Sequence, residues 1–379
     1  MNRTIVHFDL DTFFVSVERL LNSRLGTQPL IIGGTGDRGV VSSCSYEART
    51  YGVHAGMPMR MARQLCGEAV YIRGDMDQYS KYSRLVTDII ADSAPVYEKA
   101  SIDEHYLDIS GMDKFFGSMK WSQELRQKII RESGLPISFG MSINKTVAKI
   151  ATGEAKPAGE LYIEGDNVHD FLDPLSISKI PMLGKVASKK LQRMGIDKIY
   201  TLRQMPVEML QNVMGKNGIS LWKKANGVDS TPVYQYSERK SISSERTFQQ
   251  DSIDVKRLNE LIVGMAEKLA YSLRKKRKLC SVVTVKIRYS NFDTYTMQKR
   301  ISYTSFDHII MEVAKELFIK LYTRRMLVRL IGIKLSGLVE GVQQLSLFDD
   351  NEEAINLYKA MDDIRNRFGS KAVRRGIAY

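Results

Sequence analysis

The stretch Ser101-Ile102-Asp103-Glu104-His105-Tyr106-Leu107-Asp108 puts two adjacent carboxylates inside a run that otherwise reads as β-strand. Neighbouring side chains of a regular strand point to opposite faces, so Asp103 and Glu104 serve one site only if the chain turns or bulges there. Pro95–Ala100 before them and Tyr106–Ile109 after them both read as strands. This predicts a hairpin with the acids at its tip. An Asp-Glu pair alone is usually solvated surface. A second acidic strand end, Val6-His7-Phe8-Asp9-Leu10-Asp11, argues against that reading here. Three carboxylates from two strands (Asp9, Asp103 and Glu104), with no His/Cys ligand cluster beside them, suit a hard, oxygen-binding metal such as Mg²⁺.

The rest of the N-terminal half alternates strands and helices. Thr4–Phe8 reads as a buried strand, and Asp11–Leu21 has helical spacing with Asp or Thr as a possible cap. Phe13 reads as core. Phe14 lies close enough to Asp9 and Leu10 to face whatever the metals hold. Gly33–Gly39 is glycine-rich but lacks the lysine and Ser/Thr of a phosphate-binding P-loop, so it reads as a turn carrying one useful Arg38. Ser45–Arg49 opens a helix on which Tyr46 and Arg49, three residues apart, share a face. A hydroxyl and a guanidinium there can form an anion site, or simply a Tyr/Arg surface pair. Asp75 caps a long amphipathic helix to about Ala94, Trp121–Ser133 is a second helix, Pro136–Ser142 a strand, and Asn144–Ala151 a helix leading to Lys156. This order lacks the regularity of a doubly wound sheet. It fits an antiparallel sheet backed by helices, with residues 12–75 inserted as a separate lobe.

Charge divides the chain. Residues 239–340 hold 21 lysines and arginines against 10 acids, most of the surplus behind the formal net charge of +13 over 379 residues. That concentration points to a polyanionic partner and a duplex-binding module. Its strands (281–290, 294–302, 328–335) alternate with helices near 254–276 and 307–323. Arg239–Arg246 reads as a basic linker into it. Arg274–Lys278 is either a phosphate contact or a solvated helix end. Three widely spaced cysteines, Cys44, Cys66 and Cys280, indicate a reducing compartment. With no signal-peptide pattern and no apolar run approaching the ~18 residues of a membrane span, the expectation is a cytoplasmic, soluble protein. Gln344-Leu345-Ser346-Leu347-Phe348 places apolar residues in a polar setting that call for a partner groove. Ala354–Phe368 reads as one more helix.

Five motifs occur in order: Phe8–Phe14, Ser45–Arg49, Gly56-Met57-Pro58, Ser101–Glu104 with Tyr106-Leu107-Asp108, and Ala155-Lys156-Pro157-Ala158-Gly159. Together they resemble the signature of the Y-family translesion DNA polymerases, nearest the bacterial DNA polymerase IV (DinB) type, over nearly the whole chain. The resemblance implies an α+β, multidomain right-hand polymerase with an antiparallel-sheet palm (1–11 and 76–166) and small inserted fingers (12–75). A helical thumb (167–235), a C-terminal α/β little finger (236–340), and a clamp-binding peptide with tail (341–379) would follow. It implies two Mg²⁺ ions held by Asp9, Asp103, Glu104 and the backbone carbonyl of Leu10. It also implies Phe14 as a steric gate under the sugar 2′ position, and Ser43, Tyr46, Arg49 and Lys156 on the incoming triphosphate beside Arg38. Primer–template DNA, a dNTP and a sliding clamp, engaged through Gln344, Leu345, Leu347 and Phe348, would be the partners of a monomer. Two positions depart from the family: His105 replaces a small residue. Met182 stands in place of a glycine within Ile180–Leu191, a stretch similar to a helix-hairpin-helix whose turn amides can meet DNA phosphates.

Other classes use similar parts. A two-metal nuclease or a palm-fold nucleotide cyclase would need the acids but not the gate, triphosphate set and clamp peptide together. A non-catalytic DNA-binding scaffold would explain the basic domain but not the three carboxylates.

Overall fold

The computed structural model describes residues 3–112, 117–235, 238–341, 352–373 and 375–376. The chain divides into two compact units, Met1–Ser237 and Glu238–Tyr379.

In the first unit the elements run β1 (Ile5–Leu10), α1 (Phe13–Leu21), β2 (Leu30–Gly33), β3 (Val41–Cys44), α2 (Tyr46–Thr50), α3 (Met59–Leu65), β4 (Val70–Ile72), α4 (Met76–Ser93), β5 (Tyr97–Lys99), β6 (Glu104–Asp108), α5 (Ser118–Ser133), β7 (Ile137–Ser142), α6 (Lys145–Ala155) and β8 (Glu160–Tyr162). The main sheet has the order β5-β6-β1-β7-β8. It is antiparallel, as expected, up to its edge, where β8 lies parallel to β7. Helix α6 between them carries the chain back along the sheet, which is the connection a parallel pair requires. Val6, Phe8, Leu10, Phe139 and Met141 of the sheet bury against Val86, Ile89 and Ile90 of α4 and Leu125 and Ile129 of α5.

The three-stranded sheet β3-β2-β4 belongs to the inserted segment. Helix α1 packs on both sides of the join: Phe13 and Val17 enter the main core, while Val15 packs with Leu30 and Ile32. The expected side-chain cap of α1 is absent. Thr12 adopts a left-handed conformation with no capping bond, and Asp11 is turned into the protein. Its carboxylate accepts hydrogen bonds from Ser138 Oγ (2.8 and 3.0 Å) and from the Ala158 amide (2.8 Å). Asp75 does cap α4, accepting from the amides of Asp77 and Gln78 at 2.9 and 3.2 Å.

Short helices complete this unit: α7 (Val168–Leu172), α8 (Lys185–Gln192), α9 (Ile199–Gln204), α10 (Val207–Met214) and α11 (Lys216–Ala225). They share a core of Val168, Leu172, Leu191, Ile199, Leu202 and Leu210. In the turn before α8, Met182 has a φ of 73°. Its side chain is 95% exposed and that of Val186 86% exposed. A side chain stands in a backbone conformation that glycine adopts without cost, so the turn survives the substitution at a price in strain.

The second unit contains β9 (Ser241–Ser252), α12 (Val255–Lys275), β10 (Lys278–Tyr289), β11 (Thr294–Thr304), α13 (Asp307–Leu321), β12 (Val328–Ser336), β13 (Val339–Glu340) and α14 (Glu352–Phe368). The stretch expected to be a basic linker is the start of β9, an edge strand paired with β12. Its polar, largely exposed sequence hides the strand, because an edge strand with one open face needs little apolar alternation. In the sheet β11-β10-β12-β9, Val283, Val285, Ile287, Ile331, Ile333 and Leu335 face α12 and α13.

Helix α14 docks on this unit mainly through charge. Arg274 holds Asp362 at 2.6 and 2.9 Å and Asp307 at 2.6 Å, and buried Tyr358 takes a hydrogen bond from Arg375 at 3.2 Å. Buried charges of this kind stay folded only when paired.

Gly140 sets how closely α6 lies on β7. A Cβ there would sit 2.3 Å from the Ala148 carbonyl oxygen and 2.4 Å from the Thr152 amide. Both are backbone atoms, so the helix itself would have to lift. Gly140→Ala should destabilise the first unit by about 1–3 kcal/mol, read as a lowered thermal midpoint. An unchanged midpoint would mean that α6 is not held at this distance.

Candidate active site

β1 and β6 are neighbours, and their register places Asp9 directly opposite Glu104. Directly opposed residues on paired strands present side chains to the same face. Asp103 escapes the alternation because it lies in the turn between β5 and β6, at the tip of the expected hairpin. Ser101 organises that turn. Its Oγ accepts from the amides of Asp103 (3.3 Å) and Glu104 (3.1 Å) and donates to the Asp103 carboxylate. The tip is fastened to β1 by the Leu10 amide, which donates to the Asp103 carbonyl at 3.1 Å. Three sequence-predicted carboxylates are thus brought to one end of two adjacent strands.

His7 was not among the residues singled out, although it precedes Asp9 by two positions in the same strand and therefore shares its face. One of its ring nitrogens, a carboxylate oxygen of Asp9 and one of Glu104 all lie within 4.8 Å of one another. His7 is fully buried, with Nδ1 2.8 Å from Thr152 Oγ1, while Nε2 has no hydrogen-bond partner. Burial pushes its pKa down to about 4, so it is neutral at pH 7. An imidazole nitrogen therefore does stand beside the acids, contrary to the all-oxygen set expected.

Two ammonium groups come from α6 and its end. Lys149 Nζ reaches both oxygens of Glu104, at 2.5 and 2.6 Å. Lys156 Nζ contacts Asp9 Oδ1 at 2.5 Å and lies 3.5 Å from both the Leu10 carbonyl oxygen and Asp11 Oδ1. Burial raises the Asp9 carboxyl to about 6, against the opposing pull of Lys156. Beside His7 and under Lys149, the Glu104 carboxyl is held down at about 2. With His7 neutral and its Nε2 3.9 Å away, beyond hydrogen-bond reach, Lys149 is the partner that sustains the charge. Lys149 precedes Lys156 by seven residues, two helical turns, a spacing that could have flagged it.

The donor set fits a hard divalent cation. It offers three carboxylates, a backbone carbonyl and an orphaned buried imidazole nitrogen, and an ammonium already bridges the Asp9 carboxylate and the Leu10 carbonyl. Oxygen-rich sets of this kind are those such ions select.

Apart from Lys156, the triphosphate candidates lie on the inserted segment. Ser45 caps α2 by accepting from the Ala48 amide at 3.3 Å, and the Arg49 guanidinium lies 4.8 Å above the Tyr46 ring. At five residues, α2 is too short for its dipole to carry an anion site, so the grip rests on side chains. The Tyr46 hydroxyl is buried without a hydrogen-bond partner. Burial first and the Asp11 carboxylate second push its pKa up to about 12. Ser43 stands on β3 and Arg38 on the loop before it.

Phe14, in the first turn of α1, stacks on Tyr79 with ring centroids 4.3 Å apart and planes 15° apart. The Tyr79 hydroxyl is tied to Glu18 at 2.5 Å, so the Phe14 ring has a fixed backing. His105 points away from the acids, into the core, where its Nε2 meets Thr87 Oγ1 at 3.0 Å. Gln344, Leu345, Leu347 and Phe348 lie outside the described residues.

In the second unit, the sheet face opposite the helices carries Lys286, Arg288, Arg300 and Lys334 among Thr284, Thr296 and Gln298, all in register across β10, β11 and β12. Lys286 pairs with Glu245 at 3.0 Å, and the Arg288 Nε donates to Thr294 Oγ1 at 2.8 Å. A polar sheet face with four cations in adjacent rows is suited to phosphates.

The impB/mucB/samB family matches residues 8–153 and its C-terminal domain residues 239–347, and the thumb domain of DNA polymerase-iota matches 178–229. A DNA polymerase IV of Dehalococcoides mccartyi (strain CBDB1) is 35% identical over 100% of this chain and 98% of its own length. That of Desulfatibacillum aliphaticivorans is 36% identical over 97% of this chain and 95% of its own. Among solved structures, a Y-family DNA polymerase chimera of Dbh and Dpo4 is similar with a TM-score of 0.77 at 28% identity, covering 89% of this chain and all of that one. DinB from Sulfolobus solfataricus matches with a TM-score of 0.62, also at 28% identity and with the same coverage. The chain belongs to the Y-family DNA polymerases, of the DNA polymerase IV (DinB) type, and is a DNA-directed DNA polymerase.

Proposed function

We propose that the chain extends a primer 3′ end opposite damaged template, by two-metal nucleotidyl transfer. The observation that carries this reading is the pairing of Asp9 with Glu104 across β1 and β6, with Asp103 fastened over the strand end by the Leu10 amide. Asp9, Asp103, Glu104 and the Leu10 carbonyl would hold two Mg²⁺. Bound there, such ions supply charge stabilisation to the attacking and leaving oxygens of an in-line phosphoryl displacement.

The protein's own residues do the rest. Lys156, Tyr46 and Arg49, with Ser43 and Arg38 beside them, would hold the triphosphate and neutralise charge developing on the departing pyrophosphate. Phe14, backed by Tyr79, would occupy the volume a ribose 2′-hydroxyl needs. Residues 236–340 would grip the duplex by the cationic sheet face, and residues 167–235 would add backbone amides of the Met182 turn. One of the similar structures is an insertion ternary complex of Dbh DNA polymerase; for this chain we take the partners to be primer–template DNA and a nucleotide. We assign Gln344, Leu345, Leu347 and Phe348 to a sliding clamp and take the working form to be a monomer. Among the described residues no helix is long and apolar enough to cross a membrane.

Primer extension with dNTPs and Mg²⁺ tests the assignment. Asp103→Ala should keep DNA binding and lose at least ~100-fold in rate, while Phe14→Ala should raise ribonucleotide incorporation with a modest loss of dNTP use. Near-normal extension by the first variant, or unchanged sugar discrimination by the second, would contradict the roles given.

Burial of Asp9 also sets a pH dependence. Asp9 titrates at about 6 in the folded chain against an ordinary 3.8. The folded state therefore holds the Asp9 proton more tightly than the unfolded one. This contribution to stability is complete below about pH 4 and is lost as pH rises through about 6. In metal-free buffer, the thermal midpoint of the wild type relative to Asp9→Asn should fall between pH 4 and pH 7. A difference that stays flat across this window would show that Asp9 is not raised.

A further inference from the structure

Lys149 has no part in the roles assigned above, yet its ammonium donates to both oxygens of Glu104. It projects from α6, which close packing on Gly140 holds against the sheet. Its side chain is partly exposed, so it has somewhere to go. Lys156, the extended residue that follows the last turn of α6, sits in the matching place between the Asp9 carboxylate and the Leu10 carbonyl. Each ammonium thus covers oxygens that the proposed metal reading, on which this inference rests, gives to a divalent cation.

A carboxylate bridged through both oxygens by a lysine has its inner lone pairs taken. A divalent cation arriving at the same oxygens meets both a blocked donor and a like charge. The cation and the ammonium therefore exclude one another. We propose that Lys149 is a placeholder cation: it holds the Glu104 carboxylate in position through both oxygens, and it must leave Glu104 for a divalent cation to bind. Lys149 is then a positioning residue whose removal strengthens metal binding, the reverse of what removal of a supporting residue does.

The test is Mn²⁺ binding to the full-length chain without DNA or nucleotide, followed by electron paramagnetic resonance of the free ion. Lys149→Met keeps the length of the side chain and deletes the competing charge, so its Kd should fall about three- to tenfold. Its metal-free form should melt below the wild type, and saturating Mn²⁺ should raise its melting temperature by more than it raises that of the wild type. Lys149→Arg keeps the charge and adds a two-pronged grip on the carboxylate, so it should bind Mn²⁺ more weakly than the wild type. Equal or weaker binding by Lys149→Met, or tighter binding by Lys149→Arg, overturns the placeholder. Glu104→Gln separates the two readings. Binding that is lost in Glu104→Gln but unchanged in Lys149→Met removes the placeholder alone. No binding by the wild type, or binding that survives Glu104→Gln, removes the metal reading and the placeholder with it.

Discussion

The pairing of acids at the end of two adjacent strands with the ammonium groups of Lys149 and Lys156 is the interaction around which the first unit is arranged. Asp9 and Glu104 face each other across β1 and β6, and Asp103 is drawn over the same strand end. Slipping the register by one residue would send one of the pair to the opposite face. The register is locked on the core side by Val6, Phe8 and Leu107, all buried. The apolar face of the sheet therefore fixes the geometry of the charged one. Two lysines of the α6 region supply the opposing charge, and Gly140 permits the approach that puts α6 in place. Chemistry and packing are linked through one helix: it covers the sheet and also delivers the cations.

The second unit divides the same way, but by strand alternation. One set of positions on β10 and β12 builds the core with α12 and α13, and the other set carries Lys286, Arg288 and Lys334 outward. Most of the chain's net positive charge lies in this unit, which leaves the first unit nearly balanced around its acidic site. Helix α14 closes over the end of the unit through Arg274, Asp362 and Asp307. This packing depends on matched ions more than on apolar area.

Features written in local patterns were legible in the sequence. The hairpin tip at Asp103 and Glu104, the Tyr46/Arg49 face, the Asp75 cap and the strands and helices of residues 254–335 follow from periodicity and turn chemistry, and the structure shows them. The family motifs supplied the roles. What was missed depends on contacts distant in sequence. Asp11 reads locally as a helix cap, but Ser138 and Ala158, more than a hundred residues away, draw it inward. β9 looked like a linker because an edge strand with a solvated face carries little apolar signal. His7 had the right spacing to share a face with Asp9, and Lys149 lies in the helix that ends just before Lys156, yet spacing alone does not say which face meets the site. The parallel docking of β8 is set by the α6 crossover and not by anything in Glu160–Tyr162 itself.

The most direct measurement is the anomalous scattering of Mn²⁺ in crystals of the chain with primer–template DNA and a non-hydrolysable dNTP. The account predicts two peaks within roughly 2.0–2.4 Å of oxygens of Asp9, Asp103 and Glu104, with the Leu10 carbonyl oxygen on one of them and the Lys149 ammonium withdrawn from Glu104. A single peak, or peaks that touch none of the three carboxylates, would contradict it.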